Sequence, residues 1–463
     1  MSERHRRPYA NVLEMVGWTP LVRLNSVVDE CRTPVYGKCE FMNPGGSVKD
    51  RIGLAMIEAA EREGRLKPGG TIVEGTSGNT GLALAIAAAT KGYRCIFTLP
   101  DKMSHEKVKL LRAFGAEVII TPTAVPHDHP ENYVMKAKSI AESLPNAILA
   151  NQFYNQANPD AHYASTGPEL WEQSDGKISH FFSGAGTGGT ITGTGRYLKE
   201  KNPKVHIGGV DPEGSLIGPF FNTGQMIEGQ PYKVEGLGND KIPGALDLDV
   251  VDSYVTVADG DAFRMARRLT REEGLFVGGS AGLIAHAAIQ EARRIDDPDA
   301  FIVINLCDWG ERYLSKVFDD EWMRENGFLE RPRRQNATQM IAAKQGGATL
   351  MASTPTTSVQ MSLSTMSTHG VSQLPVLHED NCVGSVTEAD LMAAVLSDPS
   401  ALDRSVETIM SAPFPVVDGG VDEDEVTRLL THSTAAVLIR NNGKIDGIIT
   451  RYDVVRALTQ NRA

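Results

Sequence analysis

The sequence lacks any long apolar run. Its longest purely apolar stretch extends only from Leu82 to Ala89, whereas a helix that spans a membrane needs about 20 such residues. We therefore expect no membrane-spanning segment and no membrane partner. The first ten residues are polar and basic and contain no apolar segment, so no secretory signal is expected either.

Cysteine is scarce and scattered. The chain has five cysteines, which is an odd number, and no Cys-x-x-Cys spacing. This pattern argues against a disulfide framework and against a zinc knuckle, and no metal site is predicted. A reducing cytoplasm fits such a chain. The five are Cys31, Cys39, Cys95, Cys307 and Cys382.

Positive charge is also in deficit. The formal net charge is −12 at pH 7, and a protein that binds nucleic acid needs a basic face to neutralise phosphates. We therefore expect no nucleic-acid partner. The short basic run from Arg331 to Arg334 is interpreted as part of a solvated linker.

The first two-thirds of the chain alternate apolar strands with helices. This order predicts crossover units, and hence a mostly parallel sheet with helices on both faces. In such sheets ligands bind at the loops beyond the carboxyl ends of the strands. The predicted strands are 71–73, 94–99, 117–121, 179–183 and 205–210, and the predicted helices are 79–91, 104–114 and 190–201.

The pattern changes near residue 325, where a polar segment containing Pro332 precedes an internal repeat. Residues 384–391 are echoed 63 residues later by 447–454, and each copy follows an apolar strand and leads into a helix. A repeat this small cannot bury a core alone, so the two copies are predicted to pack together. We predict a catalytic domain over 1–325, a linker over 326–340 and paired repeats over 341–463, at about 341–400 and 404–463.

Four glycine-containing loops are candidates for chemistry. The first, 43–51, has two glycines before Lys49, which opens a helix; a lone lysine there is otherwise a solvated surface residue. The second, 74–81, offers N–H groups and hydroxyls to an anion, with helix capping by Asn79 as the simpler interpretation. The third, 183–190, is interpreted as a phosphate cradle. The fourth, 278–282, contains Ser280, which by itself is most simply an N-cap.

Together and in this order, the four loops resemble the β-family (fold type II) of pyridoxal-phosphate (PLP) enzymes. Within it they are most similar to the cystathionine β-synthases, and next to the cysteine synthases. The likeness runs from about Asn11 to Trp322 and includes residues 17–24, 162–163, 209–215 and 312–316. The C-terminal repeats resemble the paired CBS-type modules appended to cystathionine β-synthases. The resemblance implies an α/β catalytic core of two subdomains rich in parallel sheet, followed by an α+β repeat domain.

The resemblance also assigns roles by position. It implies that Lys49 is the Schiff-base lysine, that Asn79 contacts the 3′-oxygen of the cofactor, and that Ser280 contacts its ring nitrogen. The implied phosphate site comprises Gly186, Thr187, Gly188, Gly189 and Thr190, and the implied substrate-carboxylate site comprises Thr76, Ser77, Asn79, Thr80 and Gln152.

The implied reaction is a lyase-type β-replacement. L-Serine, or an activated serine, would condense with L-homocysteine to give L-cystathionine in transsulfuration and cysteine biosynthesis. A serine near the ring nitrogen need not protonate it, which favours loss of the β-substituent over transamination. Lys49, with its pKa lowered by burial, would act as the base for the α-proton.

Two features depart from the cystathionine β-synthase pattern near the mouth of the site. Phe153 stands where many members have tyrosine, and Asn239 and Lys241 replace two aromatic residues. These departures bear on the second substrate and not on the cofactor. No haem is expected, because only about ten residues precede the catalytic domain and they contain no cysteine.

Two alternatives stay open. One is a cysteine synthase that uses O-acetylserine and sulfide, with a regulatory tail. The other is a nucleotide-sensing protein whose enzyme domain is degenerate, against which the intact Lys49 and phosphate loop argue. We also expect a homodimer or a higher homo-oligomer, as in related fold type II enzymes.

The repeats are predicted to bind an adenosyl ligand, either S-adenosylmethionine or an adenine nucleotide. Each copy has a Thr-x-x-Asp motif at a strand-to-helix turn: Thr387 with Asp390, and Thr450 with Asp453. In modules of this kind the carboxylate can accept from ribose hydroxyls. Helix capping by the threonines is the simpler interpretation of either copy.

Overall fold

The alternating pattern of the sequence folds into two units. A computed structural model describes residues 8–28, 31–76, 78–101, 105–126, 128–330, 335–344, 350–430 and 434–460. Packing of the backbone separates Met1–Glu330 from Arg331–Ala463, and each unit is described by itself. The basic run 331–334 lies outside the described residues. Within the described part of the chain, no helix is long and apolar enough to cross a membrane.

The first unit contains alternating strands and helices, as predicted. Its strands are β1 (Leu21–Arg23), β2 (Val35–Cys39), β3 (Thr71–Gly75), β4 (Arg94–Pro100), β5 (Glu117–Thr121), β6 (Ala147–Leu149), β7 (His180–Gly184), β8 (His206–Pro212), β9 (Ser253–Val257) and β10 (Ile302–Leu306). Its helices are α1 (Lys49–Arg62), α2 (Asn79–Lys91), α3 (His105–Ala113), α4 (Tyr133–Ser143), α5 (Ala157–Ala164), α6 (Thr166–Gln173), α7 (Gly189–Lys201), α8 (Ile217–Thr223), α9 (Asp259–Glu273), α10 (Gly279–Ile295) and α11 (Asp320–Glu325).

The strands form two sheets rather than one. The larger sheet has the order β1-β2-β10-β7-β8-β9, and the smaller has the order β5-β4-β3-β6. Every described pairing in the first unit is parallel except that of β1 with β2. This arrangement confirms the predicted core of two subdomains, because each sheet is the centre of its own lobe.

Helix α2, which the sequence shows as apolar on all sides, is buried along most of its length. Its residues from Thr80 to Ala88 are all buried. Most of its apolar side chains share one apolar cluster with Ile52 and Met56 of α1 and with Phe97 of β4. The helix is therefore covered on more than one side, which an all-round apolar pattern predicts. It ends at Gly92, which adopts a φ of 78° that favours glycine.

The second unit contains the two predicted repeat copies. Their antiparallel hairpins are β11 (Gln373–His378) with β12 (Asn381–Thr387), and β14 (Ala436–Asn441) with β15 (Lys444–Thr450), while β13 (Val416–Asp418) pairs in parallel with β14. One apolar cluster includes Leu377 of the first copy and Leu438 of the second, so the copies share a core. The helices are α12 (Ala337–Ala342), α13 (Val359–His369), α14 (Glu388–Ser397), α15 (Glu423–Leu429) and α16 (Arg451–Gln460).

The predicted linker over 326–340 overlaps a helix of the second unit. Asn336 and Gln339 form a capping box that starts α12. The helix then buries Met340 and Ile341 in the apolar cluster of the second repeat. The sequence did not predict this helix, because the segment has few apolar residues and the capping residues are themselves polar.

Candidate active site

Four helices of the first unit begin at one cavity of about 740 Å³. Lys49 and Asn79 are the first residues of α1 and α2, Gly188 directly precedes α7, and Ser280 lies in the first turn of α10. These four residues all line the cavity. Because helix N-termini carry partial positive charge and free N–H groups, their convergence favours an anionic ligand.

The amine of Lys49 is buried in this cavity. Burial lowers the pKa of Lys49 below its usual value, and nearby Cys307 and Asp308 oppose that shift. Within the described residues, the Nζ atom of Lys49 makes no hydrogen bond or ion pair, while the backbone N–H of Lys49 donates to Oγ of Ser47 at 3.3 Å. The amine is therefore held in a form suited to covalent bonding with a carbonyl group.

The glycine-rich loop between β7 and α7 is crowded by its neighbours. Gly188 has a φ of 85°, and a Cβ atom there would lie 2.4 Å from Cβ of Leu246. A Cβ atom on Gly189 would lie 1.8 Å from Oδ1 of Asn158, whose Nδ2 donates to Oγ1 of Thr187 at 2.9 Å. Both positions therefore need glycine, and the loop can present its amides to a phosphate.

A neutral histidine orients the threonine in the first turn of α7. Oγ1 of Thr190 lies 3.2 Å from Nε2 of His162, whose Nδ1 lies 2.8 Å from Oγ1 of Thr166. Burial lowers the pKa of His162 to about 3, so the ring is uncharged at neutral pH. The hydroxyl of Thr190 is thus fixed at the cavity without adding a charge.

The loop before α2 is joined to the segment after β6. Oγ1 of Thr80 donates to Oε1 of Gln152 at 2.5 Å, and the backbone N–H of Gln152 donates to Glu74 at 3.2 Å. Thr76, Thr80 and Gln152 all line the cavity. The hydroxyl of Thr76 and Nε2 of Gln152 can donate to a substrate carboxylate, whereas Ser77 lies outside the described residues.

The simpler capping interpretations of Asn79 and Ser280 are wrong. The N-cap of α2 is Gly78 and that of α10 is Gly278, and neither helix has a side-chain cap. The side chain of Asn79 instead bonds Asp308 and Arg312. Ser280 is buried at the cavity wall, so neither polar side chain is used as a helix cap.

A charged cluster at the cavity was not predicted from the sequence. Glu235 accepts from Lys107 at 2.7 Å and from Lys316 at 2.6 Å, and the two ammonium groups hold the pKa of Glu235 below its usual value against the effect of burial. Asp308 was missed as well, although it follows the buried strand β10. The rule that ligands lie beyond the carboxyl ends of parallel strands would have found it.

The departures from the family pattern fall on different surfaces. Phe153 and Asn239 line the cavity, and Nδ2 of Asn239 donates to the carbonyl of Gly186 in the glycine-rich loop. Lys241 is exposed and does not line the cavity. Only the first two residues therefore bear directly on what the site admits.

The cavity fits pyridoxal phosphate by its own donors. It combines a buried lysine amine, a glycine-rich helix N-terminus and a serine hydroxyl within a single volume. Such a set can hold an aldehyde carbon, a phosphate and a ring nitrogen respectively. Lys49, the loop from Gly186 to Thr190, and Ser280 are the residues that would hold the cofactor.

The second unit contains a separate cavity of about 440 Å³. Thr450 and Asp453 line it, whereas Thr387 and Asp390 do not. Thr387 caps α14 by accepting from the backbone N–H of Asp390, and its hydroxyl donates to the Asp390 carboxylate at 2.7 Å. The simpler capping interpretation therefore describes the first motif.

Comparison with known proteins decides the family. The pyridoxal-phosphate dependent enzyme family matches residues 12–308, and CBS domains match residues 352–397 and 406–460. The chain belongs to the pyridoxal-phosphate dependent enzyme family. The predicted cofactor and the predicted C-terminal repeats are confirmed by these matches.

Curated relatives of this enzyme include cystathionine beta-synthases that match nearly the whole chain. The protein of Dictyostelium discoideum is 39% identical over 98% of this chain and 93% of its own length. That of Mus musculus is 42% identical over 84% of this chain and 70% of its own length. A cysteine synthase of Staphylococcus aureus is 45% identical, over 68% of this chain and 99% of its own length.

A solved structure shares the fold of the catalytic part. It is a hydrogen sulfide-producing enzyme from Fusobacterium nucleatum, with a TM-score of 0.62 and 36% identity. The match covers 66% of this chain and 99% of that one. The pyridoxal-phosphate dependent enzyme described here is thus similar to that protein over its catalytic unit.

Proposed function

We propose that this PLP enzyme condenses L-serine, or an activated serine, with L-homocysteine to give L-cystathionine. The proposal rests on how much of the chain is similar in sequence to cystathionine beta-synthases. Cystathionine beta-synthases match 97–98% of the chain in two relatives, including the repeats. The cysteine synthase match stops at 68% of the chain.

The residues of the cavity suit the first half of this reaction. When bound, pyridoxal phosphate withdraws electrons from the α-carbon of an amino acid and so promotes loss of its α-proton and β-substituent. Lys49 accepts the α-proton at Nζ, because the lowered pKa leaves more of the amine uncharged. The hydroxyl of Ser280 would hold the ring nitrogen without adding a charge.

The loop at the start of α2 is the proposed site for the substrate carboxylate. Thr76, Asn79 and Thr80 lie at the positive end of that helix, and Gln152 faces them. Ser77 belongs to the same loop by sequence. A carboxylate bound there is orientated by charge-assisted hydrogen bonds, which are stronger than neutral ones.

A cysteine synthase activity is the second candidate. It is favoured by the 45% identity to a cysteine synthase that is matched over 99% of its length. Phe153 and Asn239 at the cavity wall bear on which acceptor enters. A degenerate enzyme domain is a weaker candidate, because the cavity retains a buried lysine and a complete glycine-rich loop.

Parallel assays separate the two activities. The purified enzyme is given homocysteine with serine or with O-acetylserine in one set of reactions and O-acetylserine with sulfide in another, and the products are quantified by mass spectrometry. We expect cystathionine to form with the higher kcat/KM. Formation of cysteine alone would reject the first candidate, and absence of both products would favour the degenerate domain.

We further propose that the second unit binds an adenosyl ligand and that the enzyme is a cytoplasmic homodimer or higher homo-oligomer. The 440 Å³ cavity with Thr450 and Asp453 supports the first statement. The five cysteines are all free thiols, which supports a reducing compartment. Sedimentation that finds only a 50.1 kDa species would reject the oligomer.

A further inference from the structure

The side-chain amide of Asn79 is held at both of its ends. The guanidinium of Arg312 donates to Oδ1 of Asn79, and Nδ2 of Asn79 donates to Oδ2 of Asp308 at 2.8 Å. A guanidinium can only donate, and a carboxylate can only accept. These two partners therefore permit one orientation of the amide, in which its nitrogen faces Asp308.

Asp308 is itself fixed relative to the loops around the cavity. Its Oδ2 also accepts from the hydroxyl of Tyr313 at 2.6 Å. The backbone carbonyl of Asp308 accepts from Gly278 at 3.2 Å, and the neighbouring carbonyl of Cys307 accepts from Val48 at 2.9 Å. The backbone that carries this carboxylate is thus tied to the segment before Lys49 and to the segment before α10.

The second oxygen of this carboxylate, Oδ1, faces Gly278. Oδ1 of Asp308 is buried and has no hydrogen-bond partner among the described residues. A Cβ atom on Gly278 would lie 2.4 Å from it, so glycine leaves the space that it occupies. Because an unpaired buried carboxylate oxygen is unfavourable for folding, stability alone does not account for this residue.

We propose that Asp308 is a positioning residue. It orients the Asn79 amide so that the amide can donate a hydrogen bond to the cofactor. With one Nδ2 hydrogen directed to Asp308 and Oδ1 bound by Arg312, the remaining Nδ2 hydrogen is left for the 3′-oxygen of pyridoxal phosphate. A donor at that oxygen favours its ionised form. This inference rests on the role proposed for Asn79, and it extends that role to a residue that acts through it.

A mutant cycle on the holoenzyme tests the inference. Asp308→Asn keeps the shape of the side chain but removes its charge and allows either end to face Asn79. We expect cofactor affinity to fall about fivefold, as for loss of one net hydrogen bond, and the pH midpoint of the cofactor's visible absorption to shift. In an Asn79→Ala background, Asp308→Asn should change neither quantity further, since Asp308 acts through Asn79.

The matched control is Asp211→Asn. Asp211 is also buried, has an unpartnered Oδ1 and does not line the cavity. We expect its substitution to leave the absorption midpoint unchanged. An unchanged midpoint in Asp308→Asn, or equal effects of Asp308→Asn with and without Asn79, would overturn the inference.

The measurements need no amino-acid substrate, so they are independent of which acceptor the enzyme uses. If homocysteine proves not to be a substrate, the proposed function fails while these spectra still decide the role of Asp308. Should Asp308→Asn not fold, Arg312→Met releases the other end of the amide. We expect it to shift the same absorption midpoint, and no shift in that variant would reject the proposal.

Discussion

The ammonium group of Lys344 lies 2.7 Å from Oδ2 of Asp453 at the wall of the cavity in the second unit. The same oxygen accepts from the backbone and the hydroxyl of Thr450, each at 2.7 Å. These three donors orient the carboxylate that we propose accepts from a ribose. Asp390 of the other motif, by contrast, contacts its own helix cap and does not line this cavity.

Asp453→Asn should therefore weaken adenosyl binding, while Asp390→Asn should not. A hydrogen bond to a charged acceptor contributes about 1.5–3 kcal/mol, which corresponds to a loss of at least about tenfold in affinity. Titration calorimetry of the full chain with S-adenosylmethionine, AMP and ATP measures this. Equal losses in both variants would show that the two motifs contribute alike, contrary to the structure-based expectation.

Lys49→Ala should abolish turnover and weaken cofactor binding, because the variant loses the buried amine proposed to bond the cofactor covalently, while Lys107 and Lys316 at the cavity are paired with Glu235. Turnover is measured with the substrate pair that the native enzyme prefers, and the cofactor by its visible absorption. Lys241→Ala is the control, since that lysine is exposed and does not line the cavity. Retained activity in Lys49→Ala would refute the assignment of the lysine.

Gly188→Ala should reduce cofactor occupancy. The added methyl group meets Leu246, and the φ of 85° is strained for any residue with a Cβ atom, by roughly 1–2 kcal/mol. Gly92→Ala is a matched control, because Gly92 has a φ of 78° but no neighbour within 4 Å of the added atom. If both variants keep full occupancy at limiting cofactor, the phosphate is bound elsewhere.

Glu74 makes the stability of the catalytic unit depend on pH. Burial raises the pKa of Glu74 to about 7 from a usual value of 4.5. A carboxyl group with a raised pKa stabilises the folded state below its unfolded pKa, and that contribution is lost as pH rises from about 4.5 to about 7. Glu74→Gln should reduce this loss by on the order of 3 kcal/mol.

Denaturation followed by tryptophan fluorescence at pH 5 and pH 8 measures that difference. All four tryptophans lie in the first unit, so the signal reports on that unit. The quantity to compare is the change in unfolding free energy between the two pH values, in the native chain and in the variant. The same change in both proteins would mean that Glu74 titrates as an ordinary exposed carboxylate.

The sequence was a good guide where the pattern is local. The helix from Asn79 to Lys91 and the strand from Glu117 to Thr121 agree with the structure, because each has an apolar run bounded by turn residues. The loops at the cavity were located because each glycine-containing segment directly precedes a helix. Lys49 in particular follows directly from such a segment.

The sequence was a poor guide where partners are distant. Asn79 and Asp308 are 229 residues apart, and no local pattern joins them. The two Thr-x-x-Asp motifs are alike in sequence, yet only Thr450 and Asp453 line a cavity. The difference comes from the surrounding residues, such as Lys344, which lies more than 100 residues away in the chain.

The catalytic cavity is lined by loops from both sheets of the first unit. Asn79 follows a strand of the smaller sheet, whereas the glycine-rich loop follows a strand of the larger one. A cofactor bound there joins both lobes, and mass action then adds about 1.4 kcal/mol of stability for each tenfold excess over its dissociation constant. The lifetime of this enzyme, and not only its rate, should therefore follow the supply of its cofactor.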